Sequence, residues 1–312
     1  MSEFRSLVRR AAKQLGERLL GNSASTRVLG SLMRPRLLVV AFHNVIPDAE
    51  EPKGDRSLHI RLARFRELLD WLPDFFEVVP LATIVRDGPP STDRPRIAIT
   101  FDDAYAGAME LGIGELVRRG LPATVFVISD MRAAQTFWWD ALAHPKEGLS
   151  KEIREELLTS TAGREMSIRA LARDHSWKYR ELGGPYVAST WKQLLEASRL
   201  EGIEVAHHTR THANAALLSR EELLDELQAG RRELEQRVPE ARPWLAWPYG
   251  RSSARARAVA MESGYEAAFR IDGGTWRVSD PPPPRFRLPR LNVPAGLTPD
   301  GLRLRTVGLL GR

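Results

Sequence analysis

The 312-residue chain predicts an α/β fold, a distorted parallel (β/α) barrel of about seven to eight strands with its helices outside. Three observations predict it. Short apolar, β-branched runs alternate with stretches of helical spacing along most of the chain. The apolar runs number about eight, near the count that closes a parallel barrel. Several of them end abruptly in carboxylates or histidines, and the carboxyl ends of parallel strands are where such folds gather their chemistry.

The elements follow in order. Residues 1–36 hold Phe4, Leu7, Val8, Ala11, Leu15, Leu19 and Leu20 at helical spacing among eight basic and two acidic residues, which is the whole net charge of +6. A basic amphipathic helix of this kind packs on the body or lies on an anionic membrane surface, here through residues 1–20. Leu37–Phe42 reads as a buried strand with His43 at its end, 61–72 as a helix and 75–79 as a strand. Arg96–Phe101 is a strand closed by Asp102 and Asp103; a helix over 106–119 and a strand over 123–128 follow.

Between 130 and 190 the alternation stops. Phe137-Trp138-Trp139-Asp140 opens a charged, largely helical insertion that ends near Gly183-Gly184-Pro185, read as a lid, a docking surface or a plain bundle. The pattern resumes with a helix over 190–199 and a strand from Ile203 into His207 and His208. Ser219 with Glu222 forms a capping box for a helix using Leu223, Leu227, Leu234 and Val238. A strand around Trp244, a helix over 254–263, strands over 267–271 and 286–293, and a helix begun by Thr298-Pro299 complete the chain. The body, 37–312 with its insertion, reads as one catalytic domain.

Composition narrows the function. Outside the first 36 residues the charge is balanced, with no basic stripe interleaved with aromatics, so nucleic acid is not an expected partner. No cysteine is present, which excludes disulfides and thiolate ligands. With no membrane-length apolar run and no secretory core at the N-terminus, the expected location is cytoplasmic, or peripheral on the inner membrane face.

The chemistry is carried by three stretches. In Thr100-Phe101-Asp102-Asp103 two adjacent carboxylates repel unless a cation or shared proton relieves them, and giving one acid to a metal leaves the other free as a base. An exposed turn is the ordinary explanation for Asp-Asp alone. His208 and His212, four apart, can point the same way in a helical or tight turn; with a carboxylate they make an open divalent-metal site, best suited to zinc. The third stretch is Trp244-Leu245-Ala246-Trp247-Pro248-Tyr249-Gly250, an apolar strand closed by a tight turn.

Together, and in this order, these resemble the motifs of the polysaccharide deacetylase (NodB-homology) family of carbohydrate esterases, over roughly residues 37–295. The resemblance implies a hydrolase acting on carbon–nitrogen bonds other than peptide bonds. Asp103, His208 and His212 would hold zinc, with cobalt or nickel as alternatives, and Asp102 would be the general base. The Tyr249 backbone N–H, with Pro248 and Trp247 beside it, would form the oxyanion and substrate-binding turn. Two positions depart from the pattern. Many relatives carry arginine where this chain has Ala246, and where they carry a C-terminal leucine-x-histidine motif the matching strand here reads Leu288-Pro289-Arg290-Leu291-Asn292, with no histidine after His212. A branch of the family opens with a strand ending in an aromatic–histidine pair, which Phe42-His43 fits. By that resemblance His43 is the candidate acid and Arg290 the candidate brace for Asp102. Arg242 is the alternative brace. His207 is expected to pack away from the site, and His59, His144 and His175 have no partners legible in the sequence.

The expected substrate is an N-acetylated amino sugar in a polysaccharide or a lipid-linked precursor of a cell-envelope glycan. A sugar deformylase or O-acetyl esterase would use the same residues. A non-catalytic glycan-binding module would not need Asp102.

Overall fold

Apolar residues alternate with small ones along the strands, and that period of two divides the protein into an outer and an inner layer. In the computed structural model the described residues are 35–87, 94–271, 276–277 and 281–306. Of the expected basic arm, only Pro35 and Arg36 fall among them, as the start of the first strand. The barrel strands are β1 (Pro35–Phe42), β2 (Arg96–Phe101), β3 (Ala123–Val127), β4 (Ile203–His207), β5 (Arg242–Ala246), β6 (Ala267–Phe269) and β7 (Leu291–Asn292). They pair in parallel in the order β1 to β6, and β7 lies parallel to β1 on its other side. Glu77–Val78 adds a short parallel edge to β2, and Trp276–Arg277 an antiparallel one to β1.

The expected continuous strand over 286–293 is not formed. Residues 285–287 turn, Leu288 bridges β6, and only Leu291–Asn292 joins β1. Leu288 N–H donates to Ala268 O (2.9 Å) and its carbonyl accepts from Arg270 N–H (2.9 Å), after which Val293 N–H donates to Ala41 O (3.0 Å). Pro289 has no N–H to give a ladder, so the chain changes partners there. That change curls the sheet round and brings Arg290 to its inner face.

Ile97, Ile99 and Phe101 of β2 face the helices, where Phe42, Phe65 and Phe101 pack ring to ring at 5.2–5.8 Å. Val39, Ala98, Ala206, Ala246 and Ala267 face inward around Phe126 and Phe269. Alanines suit this interior because a narrow barrel leaves little space between facing strands. The same parity carries forward: after Val39, Ala98 and Ala206 the next inward positions reach His43, Asp102 and His208.

The helix Leu62–Phe75 runs past its expected end with Pro73 in its last turn. Both reciprocal bonds of the Ser219–Glu222 capping box are made, and the helix continues through Gly230–Arg237 with one wide turn at Asp225–Ala229. The insertion holds helices Trp138–Ala141, Lys151–Ser160 and Glu165–Asp174. No helix among the described residues is long and apolar enough to cross a membrane.

Gly107, at the start of the helical segment after the two aspartates, lies against Val45: a Cβ there would sit 2.2 Å from Val45 O and 2.7 Å from Asn44 Oδ1. Gly107→Ala is therefore expected to destabilise the protein by about 1–3 kcal/mol, the usual cost of overpacking, read as a lowered urea midpoint.

Candidate active site

Three of the barrel strands, β2, β4 and β5, give way to irregular backbone at their carboxyl ends. The ladder persists one residue past β2, Asp102 N–H donating to Phe42 O (2.9 Å), which holds Asp102 on the inward parity. Asp103 and Ala104 then take positive φ (68° and 54°), and Thr209, His212 and Tyr249 do the same (64°, 63° and 57°). Left-handed backbone at non-glycine residues is costly, and its clustering here marks a site whose geometry the surrounding fold imposes. The histidine segment is accordingly a loop held by positive φ rather than a helical turn.

Asp103, His208 and His212 converge until one ligand atom from each lies within 4.8 Å of the others. His208 Nε2 and His212 Nε2 stand 3.4 and 3.3 Å from Asp103 Oδ1, and 3.2 Å from each other. Asp103 Oδ1 is buried with no hydrogen-bond partner. A buried carboxylate oxygen facing two imidazole nitrogens is costly unless a cation lies between them. His208 Nδ1 is 2.8 Å from Ala246 O, so it carries the proton and Nε2 presents its lone pair inward. The donor set, two imidazoles and one carboxylate, fits a divalent ion such as zinc with positions left open. Burial disfavours a charged ring at both histidines. Asp102 and Asp103 outweigh it at His208, whose pKa rises, whereas His212 is held well below the ordinary value by burial and by the charges of His208 and His43.

Asp102 is held differently. Arg290 Nη1 donates to Oδ1 at 2.6 Å and Nη2 to Oδ2 at 2.7 Å. The guanidinium is fully buried, also reaches Thr100 Oγ1 (3.1 Å) and Arg270 O (3.3 Å), and lies over the Phe126 ring. Burial would raise the Asp102 pKa, but the charge and hydrogen bonds of Arg290, with His208, bring it down to about 2. Arg242 pairs instead with Glu204 at the opposite end of β5 (2.9 Å).

His43 lies on the wall of the same cavity, of about 460 Å³, with Asp102, Asp103, Trp139, His208, His212, Tyr249 and Asn292. Burial lowers its pKa, against the upward pull of Asp103 and Asp102. Trp247 also lines the cavity, but most of its ring is buried and its indole N–H is given to Phe286 O (3.1 Å). Pro248 is buried in the turn. His207 points to the outer layer, stacked on Tyr265 and hydrogen-bonded to its hydroxyl.

Two groups had no sequence signal that singled them out. His59 is fully buried, with Nδ1 3.0 Å from Asn44 Nδ2 and Nε2 2.9 Å from Asp140 Oδ1; Asp140 Oδ2 accepts from Tyr105 OH (2.7 Å). Tyr249 contributes its hydroxyl as well as its backbone, 3.0 Å from His212 Nδ1. A charged Asp140 inside an aromatic run was the one available hint of the first.

The curled parallel sheet with its surrounding helices is the deacetylase (β/α) barrel fold, and comparison with known proteins agrees. A family model described as polysaccharide deacetylase matches residues 90–268, and the chain belongs to that family. A Streptococcus pyogenes deacetylase, PplD, solved with acetate, is 14% identical over 87% of this chain and 98% of its own, with a TM-score of 0.58. IcaB from Ammonifex degensii is 16% identical over 88% and 97%, with a TM-score of 0.61. A de-N-acetylase from Aggregatibacter actinomycetemcomitans is 16% identical over 86% and 98%, with a TM-score of 0.60. At these identities the likeness shows the fold. No curated protein matches the chain.

Arg290→Met is expected to leave Asp102 buried and unpaired and to cost about 3–5 kcal/mol in denaturant unfolding. Asp102→Asn in the same chain should recover part of that loss. The depressed Asp102 pKa also fixes a sign: its contribution, about 2 kcal/mol, is complete above 3.8 and is lost as pH falls through about 2. In metal-stripped protein, acid destabilisation across that window should be steeper for the wild type than for Asp102→Asn.

Proposed function

We propose that the protein is a metal-dependent hydrolase that removes N-acetyl groups from an amino sugar of a polysaccharide or lipid-linked glycan precursor. The observation that carries this reading is the unequal treatment of two adjacent buried carboxylates. Asp102 is neutralised by Arg290, while Asp103 keeps an unpartnered oxygen facing two imidazole nitrogens. A non-catalytic binding module would not need Asp102 as a base.

Asp103, His208 and His212 would hold the cation, zinc in the first instance. When bound, it supplies a Lewis acid for the acyl oxygen and a more acidic water. The rest is the work of the chain. Asp102 stays ionised at neutral pH and takes a proton as water oxygen bonds to the acetyl carbon. Arg290 keeps that carboxylate fixed, so little reorganisation accompanies the transfer. The backbone N–H of Tyr249 supports the oxygen on which negative charge develops, a kind of contact worth roughly 3 kcal/mol of barrier. His43 gives a proton to the sugar nitrogen as the C–N bond breaks, leaving acetate and a free amine.

The test is acetate and formate release from a panel of acylated amino sugars, free, oligomeric and lipid-linked. Release should disappear on chelation, return with zinc or cobalt, and fall by about 10²–10⁴ in kcat for Asp102→Asn. Preference for formamido or O-acetyl substrates would replace the N-acetyl assignment. Release that persists in Asp102→Asn would contradict the base assignment.

The pH profile tests His43 separately. Its pKa is lowered, so activity that needs the protonated ring falls as pH rises through a value below 6.5. His43→Gln should lose that limb along with most of the rate; a limb that survives the substitution belongs to another group.

A further inference from the structure

His208 and His212 are held by different parts of the protein. His208 is fixed by the barrel itself, through Nδ1 and the carbonyl of Ala246 at the end of β5. Among the described residues the ring of His212 has no such backbone partner. Its Nδ1 meets the hydroxyl of Tyr249 at 3.0 Å, and that hydroxyl receives the indole N–H of Trp138, in the insertion, at 3.2 Å. The adjacent Trp139 lies against the imidazole of His212 itself, ring centroids 4.8 Å apart.

Each of these two tryptophans is anchored through its indole N–H to a tyrosine hydroxyl. Trp138 gives its N–H to Tyr249, and Trp139 gives its own to Tyr105 at 2.6 Å. Tyr105 in turn donates to Asp140 Oδ2, whose other oxygen accepts from Asp55 N–H (2.7 Å) and contacts His59 Nε2. The buried His59–Asp140–Tyr105 chain, which the reaction does not use, thereby sets the plane of the ring that covers His212. The insertion also clamps the loop beyond His212: Asn214 N–H donates to Ala162 O (2.7 Å), and its side-chain amide donates to Leu158 O (3.2 Å). Gly163 completes the fit, because a Cβ there would stand 3.1 Å from the Tyr249 hydroxyl.

We propose that the 130–190 insertion is a positioning element for the metal centre, with Trp138, acting through the Tyr249 hydroxyl, and Trp139, acting by direct contact, fixing the tautomer and orientation of His212. The proposal rests on the reading of Asp103, His208 and His212 as metal ligands. The chemistry is one of donors and acceptors. An indole N–H can only donate, so one lone pair of the phenol oxygen is committed to Trp138. The hydroxyl stands 3.0 Å from His212 Nδ1, and when that nitrogen carries the proton and donates to the second lone pair, Nε2 is left as a bare lone pair facing Asp103, the form a metal ligand requires. Tyr249 and Trp138 are positioning residues in this account. Loss of such a partner typically weakens a metal site by about 10–100-fold.

The test is titration of the full-length, metal-stripped protein with cobalt(II), reading both affinity and the visible absorption of the bound ion. Tyr249→Phe should weaken cobalt binding by about 10–100-fold and alter the absorption spectrum. Trp138→Phe should shift both in the same direction, and should add nothing further in the Tyr249→Phe background. Trp177→Phe, in the insertion but away from the site, should bind as the wild type does. If Trp138→Phe and Tyr249→Phe lower the unfolding temperature but keep wild-type affinity and spectrum, the insertion is merely structural and the proposal fails. If the wild type itself takes up no stoichiometric cobalt, the metal reading fails first.

Discussion

Two carboxylates next to each other in sequence, both buried, are the constraint on which the rest of the site depends. Asp102 and Asp103 are each 2% exposed, and neither could stay charged without a dedicated counter-charge. Arg290 supplies one, with both guanidinium nitrogens on Asp102. Around Asp103 an orphaned oxygen faces two imidazole nitrogens, an arrangement that a bound cation would satisfy. Reaching that arrangement explains the irregularities of the barrel. The partner change at Pro289 brings Arg290 inside, and the positive φ of Asp103 turns the second carboxylate away from the first.

The period of the strands made much of this legible in the sequence. An inward alanine or threonine two residues before Asp102 and His208 predicts that those side chains face the interior and that His207 does not, and His207 lies in the outer layer against Tyr265. The alternation of strands and helices, the capping box at Ser219 and the helical insertion are likewise read from pattern alone. Arg290 could be nominated because the more usual position carries Ala246. Its full burial could not be foreseen, since it follows from a strand that is interrupted rather than continuous.

What stayed hidden depends on contacts between segments far apart in the chain. His59, Asp140 and Tyr105 come from three separate stretches, and nothing local distinguishes a histidine with two buried partners from an exposed one. The hydroxyl of Tyr249 was masked for a related reason, because the turn motif draws attention to its backbone. Asp140 sits in an aromatic cluster with Phe137, Trp138 and Trp139, where burying a charge is costly enough to imply partners. These hidden contacts are also among those that join the insertion to the barrel.

The most direct test of this division of labour is the amount of zinc retained by purified protein after dialysis, compared among wild type, Asp102→Asn and Asp103→Asn. Near-stoichiometric zinc in the wild type and Asp102→Asn, with little in Asp103→Asn, is the predicted result. Zinc kept by Asp103→Asn and lost from Asp102→Asn would reverse the roles of the two carboxylates and contradict the account.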